Sequence, residues 1–227
     1  MAITSKEGPL EGSRIRELRR RLGVTQQELA CRIDVDQGTV SRWERGVERP
    51  RPARMAKLHT LLLRDEERRQ VKKSIAVVRH DFLPATLLDE NLRLIEASAS
   101  AERLFRDRGQ KLSQLMGVSF ESYADRMGVP TLMAHVRESG LLRGDALFFR
   151  FVVNAYGKGN ATVWEPVFED GRLVCVLNYV AAMFSFPAND EFTIELVDFV
   201  PGEDPSEVTQ LHRGPRMATF ENRPHWM

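Results

Sequence analysis

The feature that most restricts this chain is a dense run of helix stop and start signals between Ser13 and Gly46. Ile15, Leu18 and Leu22 recur at spacings of three and four, which puts them on one helical face. Gly23 then ends the helix as a left-handed residue. Two residues later, Thr25-Gln26-Gln27-Glu28 reads as a capping box, in which the threonine hydroxyl caps backbone N–H groups and the glutamate reaches back. Leu29, Ala30 and Ile33 form the inner face of this second helix. Asp36 caps a third, whose buried stripe is Val40 and Trp43 and which stops at Gly46. Pro52 suits the first turn of a fourth helix carrying Met55, Leu58, Leu61 and Leu62. Segments this short have to be stabilised by packing on one another.

Charge is distributed to match. Residues 1–80 carry 19 Lys and Arg against 11 Asp and Glu, and the remaining residues carry 14 against 21. The formal net charge of +1 therefore hides a basic first third on an acidic remainder. That division implies a polyanion-binding head joined to a body with another task.

Two short helices around a tight turn, inside a basic four-helix unit, describe a helix-turn-helix domain. Residues 14–63 resemble the Xre family, the Cro and phage-repressor type. The resemblance rests on Ile15-Arg16-Glu17-Leu18-Arg19, on Leu22-Gly23-Val24-Thr25-Gln26-Gln27-Glu28-Leu29-Ala30, and on Thr39-Val40-Ser41-Arg42-Trp43-Glu44-Arg45-Gly46. It implies that Asp36 to Arg45 is a recognition helix lying in the major groove of double-stranded DNA. Gln37 and Arg42 then read base edges, since Gln pairs bidentately with adenine and Arg with guanine. Thr39 and Ser41 meet phosphate or a thymine methyl, and Gln26 presents its side chain and backbone N–H to phosphate. Arg45, Arg49 and Arg51 hold the DNA backbone electrostatically. Gly38 stands where the family carries a side chain, so one base contact is missing or shifted. Trp43 belongs to the core, Arg19 and Glu44 match a structural ion pair of the family, and Arg20 and Arg21 fit either a solvated face or phosphate contact.

Arg64 to His80 is strongly charged, yet Val71, Ile75, Val78 and Phe82 keep a 4-3-4 spacing. No Gly or Pro intervenes between Pro52 and Pro84, so this connector can continue the fourth helix. Its seam has two uses, pairing in a dimer or docking on the next domain.

The pattern changes after Phe82. Pro84 to Leu88 reads as a strand, Asp89-Glu90-Asn91 as a turn and Leu92 to Glu96 as the hairpin partner. A helix begins at Ser98. Leu112 to Gly140 is mostly helical, with breaks at Gly117, Gly128 and Pro130. Strands follow over 146–154, 161–168 and 173–181, joined by hairpin turns at Gly157-Lys158-Gly159-Asn160 and Glu169-Asp170-Gly171. This order is similar to that of PAS domains, as is the opening Leu87 to Ile95 with Ala99 to Phe105 behind it. The resemblance implies dimerisation and a cavity between sheet and helices for a small ligand. Phe149, Phe151, Val153, Val163, Val174 and Val176 are the residues expected to line it, and a filled core without ligand is the competing reading.

No cofactor is expected. His135 lies where a haem ligand can occur, but a lone histidine is more often an ordinary surface or core residue. Cys175 has no neighbouring cation in sequence and reads as an inert buried thiol. No phosphate-cradling glycine loop follows a strand, no flavin-adduct cysteine motif is present, and no His/Asp/Ser set has hydrolase spacing, so an enzyme is not expected. Two cysteines, Cys31 and Cys175, are too few for a disulfide framework or a cysteine-based zinc site. Lys6, Glu7, Gly8 and Pro9 interrupt any secretory signal, and the longest apolar run, over 173–186, is interrupted by Asn178 and falls short of the roughly 20 residues that span a bilayer. A cytoplasmic protein without membrane contact is the expectation.

The fold expected is therefore α plus α/β. It comprises an all-α helix-turn-helix domain over 1–63, a connector helix over 64–81, a PAS-like antiparallel-sheet domain with helices over 82–186, and an extra strand with a loosely ordered tail over 187–227. Phe192 to Val200 is that strand, and His225 and Trp226 are docking candidates in the tail. The function expected is a homodimeric, sequence-specific transcriptional regulator, with repression and activation both compatible. Its alternative is a DNA-binding adaptor whose body is a ligand-free protein-interaction module.

Overall fold

The computed structural model describes residues 11–186 and 192–215. The chain divides into two compact units, Met1–Arg69 and Gln70–Met227.

In the first unit α1 spans Gly12–Arg21, α2 Gln26–Ile33 and α3 Gln37–Glu44. Several starts and stops have the cause expected of them, while α1 begins after Glu11 without a side-chain cap and α2 ends at Asp34, at φ +60°. Gly23 takes φ +66° after α1. The Thr25 hydroxyl accepts from the Glu28 N–H at 3.2 Å while the Glu28 carboxylate accepts from the Thr25 N–H at 2.6 Å. Asp36 accepts from the Thr39 N–H at 2.8 Å. Ile15, Leu18, Leu29, Ile33, Val40, Trp43, Leu58 and Leu62 close into one core. Gly12 lies so near the end of α3 that a Cβ would fall 2.2 Å from the Trp43 carbonyl oxygen, so no side chain fits there.

The fourth helix, α4, runs unbroken over Pro52–Arg79, with its last ten residues in the second unit. It ends before Phe82, which is 95% exposed, so the expected seam is shorter by its last member. Val71, Ile75 and Val78 pack on the second unit's own sheet.

That sheet has seven strands: β1 Ala85–Asp89, β2 Leu94–Ala97, β3 Ala146–Ala155, β4 Lys158–Glu169, β5 Arg172–Ser185, β6 Phe192–Pro201 and β7 Thr209–Arg213. They lie in the order β2-β1-β5-β4-β3-β6-β7 with every neighbour antiparallel. Between β2 and β3 come α5 Ala99–Asp107, α6 Leu112–Leu115, α7 Phe120–Arg126, α8 Thr131–Glu138 and a short 3-10 turn. Strand, strand, helices and three strands is the order anticipated from the sequence. The fully buried Ser98 joins sheet to helix. Its Oγ accepts from the N–H groups of Ala85 and Ala101 and donates to the Leu83 carbonyl.

The helices α5–α8 cover one sheet face around Leu88, Phe149, Phe151, Trp164, Val176 and Val197. The end of α4 covers part of the other, over Ala85, Leu87, Val174 and Cys175.

Two expectations are corrected. The β3–β4 turn is not Gly157 to Asn160 but the two residues Tyr156 and Gly157, both at positive φ, because Ala155 already pairs with Lys158. Such a two-residue turn matches the strands' own twist. Gly159 therefore sits in β4, where a Cβ would come 2.1 Å from the Phe186 ring. The segment after Pro201 is also not loose throughout: Thr209–Arg213 forms β7 on β6, and the His212 ring nitrogen lies 3.0 Å from the Ile194 carbonyl. Phe192 begins β6, which pairs with β3. Residues 187–191 and the docking candidates His225 and Trp226 lie outside the described residues. Among the described residues no helix is long and apolar enough to cross a membrane.

Candidate nucleic-acid interface and body cavity

The helix α3 is held from behind by one buried carboxylate. Glu44 accepts from Arg19 Nε at 2.6 Å, from Arg19 Nη2 at 3.2 Å and from Gln26 Nε2 at 2.9 Å, and Arg16 Nε lies 3.5 Å away. Burial pushes the Glu44 carboxyl up. The hydrogen bonds from Arg19 and Gln26, with the charges of Arg19 and Arg16, outweigh this and leave it below the usual carboxylate range. Gln26 in turn accepts from Gln37 Nε2 at 2.7 Å. The first residues of α2 and α3 are thus tied through their side chains to the last residue of α3.

On the far side of Val40 and Trp43, the predicted reading face is solvent-accessible. Gln37, Arg45, Arg49 and Arg51 are exposed, and Gly38, Thr39, Ser41, Arg42 and Gln26 are half-buried. Thr39 Oγ1 donates to Asp36 at 2.6 Å and accepts from Arg42 Nη2 at 2.8 Å. Arg42 Nε donates to Glu48 at 2.9 Å, a bond that raises the guanidinium's pKa further. The Thr39 hydrogen bonds hold the Asp36 carboxyl below its usual range. A Cβ at Gly38 would stand in ordinary contact, 3.5 Å, with Arg42 Nη1 and close, 3.0 Å, to Asp36 Oδ1. The sequence reading missed Glu48, and the Gln26–Gln37 link, because both depend on side-chain direction rather than spacing.

In the second unit a cavity of about 140 Å³ opens between the sheet and α5–α8. Phe151 and Val153 line it. Phe149 and Val176 belong to the packed core beside it. Val163 and Val174 are corrections. Val163 pairs with Arg150 and Tyr179 on strand positions alternate to the lining, and Val174 lies under α4. Because Thr162 stands opposite Phe151, its neighbour Val163 faces the other way, and Val174 is the extra residue where the β4–β5 register slips between Val167 and Phe168.

What the expectation lacked is the polar strip on this wall. Thr86, Asn178, Thr162 and Asn160 all line the cavity, with Asn178 Nδ2 donating to Thr86 Oγ1 at 2.8 Å. Arg108 at the end of α5 lines it too, and with its amide oxygen turned that way Asn160 accepts from the guanidinium.

His135 is not among the lining residues. Its ring lies 6.0 Å from that of His212, with Nδ1 3.6 Å from Glu138. Cys175 is fully buried beneath α4, where burial pushes its thiol up against the opposing Ser74 hydrogen bond. The described residues present no nucleophile–base pair at the cavity.

Comparison with known proteins agrees with the head's geometry. The family model described as Helix-turn-helix matches residues 15–65, and that family is one of DNA-binding regulators. No curated protein matches the chain. Among solved structures the second unit is similar to the Rhodobacter sphaeroides LOV protein, at 20% identity, with 52% of this chain and 67% of that chain covered and a TM-score of 0.39. It is similar to the PAS domain of Bordetella pertussis BvgS, at 14% identity over 53% and 89% of the two chains, with a TM-score of 0.38. An RNA-binding Light-Oxygen-Voltage receptor matches at 13% identity over 75% and 58%, also with a TM-score of 0.38.

Proposed function

We propose that this chain is a cytoplasmic, homodimeric transcriptional regulator that reads a specific sequence of double-stranded DNA. The observation that carries the reading is α3, a capped helix braced from behind by Arg19, Glu44 and Gln26 and turning Gln37, Thr39 and Arg42 to solvent. Such a helix meets the major groove with its N-terminal residues at base edges. Gln37 and Arg42 are the base readers, Thr39 and Ser41 meet phosphate or a thymine methyl, and Gln26, Arg45, Arg49 and Arg51 grip the backbone. Gly38 contributes room rather than a contact.

The domain division proposed is the head over 1–63, the connector over 64–81, the PAS-like body over 82–186 and the added strand and tail over 187–227. The body supplies the dimer and takes a small ligand. Thr86, Thr162, Asn160 and Asn178 put donors and acceptors along one side of the cavity, which favours a ligand with hydrogen-bonding groups on one edge. A cavity of about 140 Å³ suits a body of roughly one aromatic ring. Binding favours one arrangement of the two heads, and the protein has no catalytic role.

Selection from a random DNA library with the full chain tests the reading. A two-fold symmetric site, with half-sites about one helical turn apart, is the expected result, and no enriched sequence refutes it. Native mass spectrometry of freshly purified protein tests the ligand, which adds mass to the chain. One observation favours a ligand-free interaction module as the second reading: Phe82 and Leu83 are exposed side by side. A dimer of bare chain mass that captures a partner only with Phe82 intact would support it.

A further inference from the structure

On the reading face, Arg42 alone among the predicted contact arginines is pinned by an acid. Arg45, Arg49 and Arg51 make no ion pair among the described residues. Arg42 is gripped along its length, with Nε on Glu48 at 2.9 Å, Nη2 on Thr39 at 2.8 Å and Nη1 over the bare backbone of Gly38. The carboxylate comes from the segment after α3, which is restricted on its C-terminal side by the buried Pro50 and by Pro52 at the start of α4. An acid at this point weakens the attraction of any polyanion. Its presence beside the best base reader calls for a role.

We propose that Glu48 is a positioning residue that sets sequence discrimination by holding Arg42 folded along α3 until a base edge outcompetes it. The inference rests on the DNA-binding reading above. A phosphate oxygen of arbitrary sequence offers Arg42 a carboxylate-like partner while Glu48 repels the phosphate, so a non-specific encounter gains little. A guanine edge offers O6 and N7 to two guanidinium nitrogens in one plane, brings no charge against Glu48, and releases the guanidinium on favourable terms. Thr39 and Asp36 complete the latch from the other side. Thr39 Oγ1 accepts from Arg42 and passes its own proton towards Asp36, which fixes the hydroxyl's direction.

The test compares the full-length protein with its Glu48→Gln, Glu48→Asp, Arg42→Ala and Arg42→Ala/Glu48→Gln variants. Each is titrated with the selected site and with a random duplex of equal length. Glu48→Gln is expected to strengthen random binding more than specific binding, so that the ratio of the two affinities falls about two- to fivefold, the range of an exposed ion pair. Glu48→Asp retains most of the ratio. In the Arg42→Ala background the second substitution leaves the ratio unchanged. An equal gain on both duplexes would reduce Glu48 to background charge and overturn the proposal, as would the same fall in ratio without Arg42.

The free protein supplies a reading independent of DNA. Proton exchange at Arg42 Nε–H, followed by NMR, is slower in the wild type than in Glu48→Gln, and identical rates overturn the latch. If the wild type selects no sequence, the DNA-binding reading fails and takes discrimination with it. If the wild type selects a site and Glu48→Gln keeps the full ratio, this proposal fails alone.

Discussion

Replacing Glu44 by Gln keeps the shape of the side chain and removes its charge, which isolates the electrostatic brace behind α3. The carboxylate is only 1% exposed and accepts from Arg19 twice and from Gln26 once. A glutamine offers one oxygen in its place and turns an NH2 toward groups that can only donate. Arg16, at 43% exposure, can turn to water, but Arg19, at 18%, largely cannot. Breaking a fully buried pair costs about 3–5 kcal/mol, and the partial access of Arg19 to solvent brings the expectation to about 2–3 kcal/mol. Amide hydrogen exchange over α1–α3 in the full-length protein reads this directly, as a loss of protection of about 30- to 150-fold. Protection in the second unit should not change. The double substitution Arg19→Met/Glu44→Leu should fall closer to the wild type than Glu44→Gln, because no charge is left unpaired. A loss below about threefold in Glu44→Gln would refute the view that this carboxylate holds the head together.

Other substitutions separate binding from folding. Arg42→Ala should cost about 1–3 kcal/mol at the selected site and relax preference at one base pair; equal loss on random DNA would remove it from the base readers. Arg51→Ala should weaken both duplexes alike and lower the slope of log affinity against log salt by about one, which a salt titration checks. Gly159→Ala drives a methyl into the Phe186 ring and should cost about 1–3 kcal/mol in urea unfolding of the body. Acid should loosen the head. The carboxyls of Glu44, Asp36 and Glu28 lie below their ordinary values, held there chiefly against burial by Arg19 and Gln26 for Glu44 and by Thr39 and Thr25 for the other two. Their contribution is complete above the usual carboxylate range and is lost as pH falls through the lowered folded-state values. Exchange protection of α2 and α3, corrected for intrinsic rates, should therefore drop on going from neutral pH to below that range.

How far the sequence could be read depended on how local each cause was. Gly23, Thr25 with Glu28, and Asp36 act within a few residues, so the end of α1 and the starts of α2 and α3 could be placed from them alone. The contact between Gly12 and the Trp43 carbonyl joins residues far apart in the chain and leaves no pattern beyond a glycine in a helix. The cavity wall shows the same limit from another side. Alternation puts Phe151 and Val153 on the cavity wall because β3 is regular over that stretch of its pairing with β4. It misassigns Val163, which stands opposite Arg150 while Thr162 stands opposite Phe151, and it misassigns Val174, which the β4–β5 ladder skips between Val167 and Phe168.

The choice of face also changes what the cavity can be. The six residues expected to line it are all apolar and make an oily pocket. With the observed register, Thr162 and Asn178 face inward with Asn160 and Thr86, opposite Arg108. A wall of that kind discriminates by hydrogen bonds, and a site built to pair a ligand's polar edge rejects analogues that leave its own groups unpaired. Asn178→Leu should therefore abolish retention of a natural ligand in native mass spectra while leaving the body's unfolding midpoint within a small change, because Thr86 keeps the Asn178 carbonyl as a partner. Retention of the same mass by Asn178→Leu would mean that the polar strip serves the fold and that the ligand, if held, is recognised by shape.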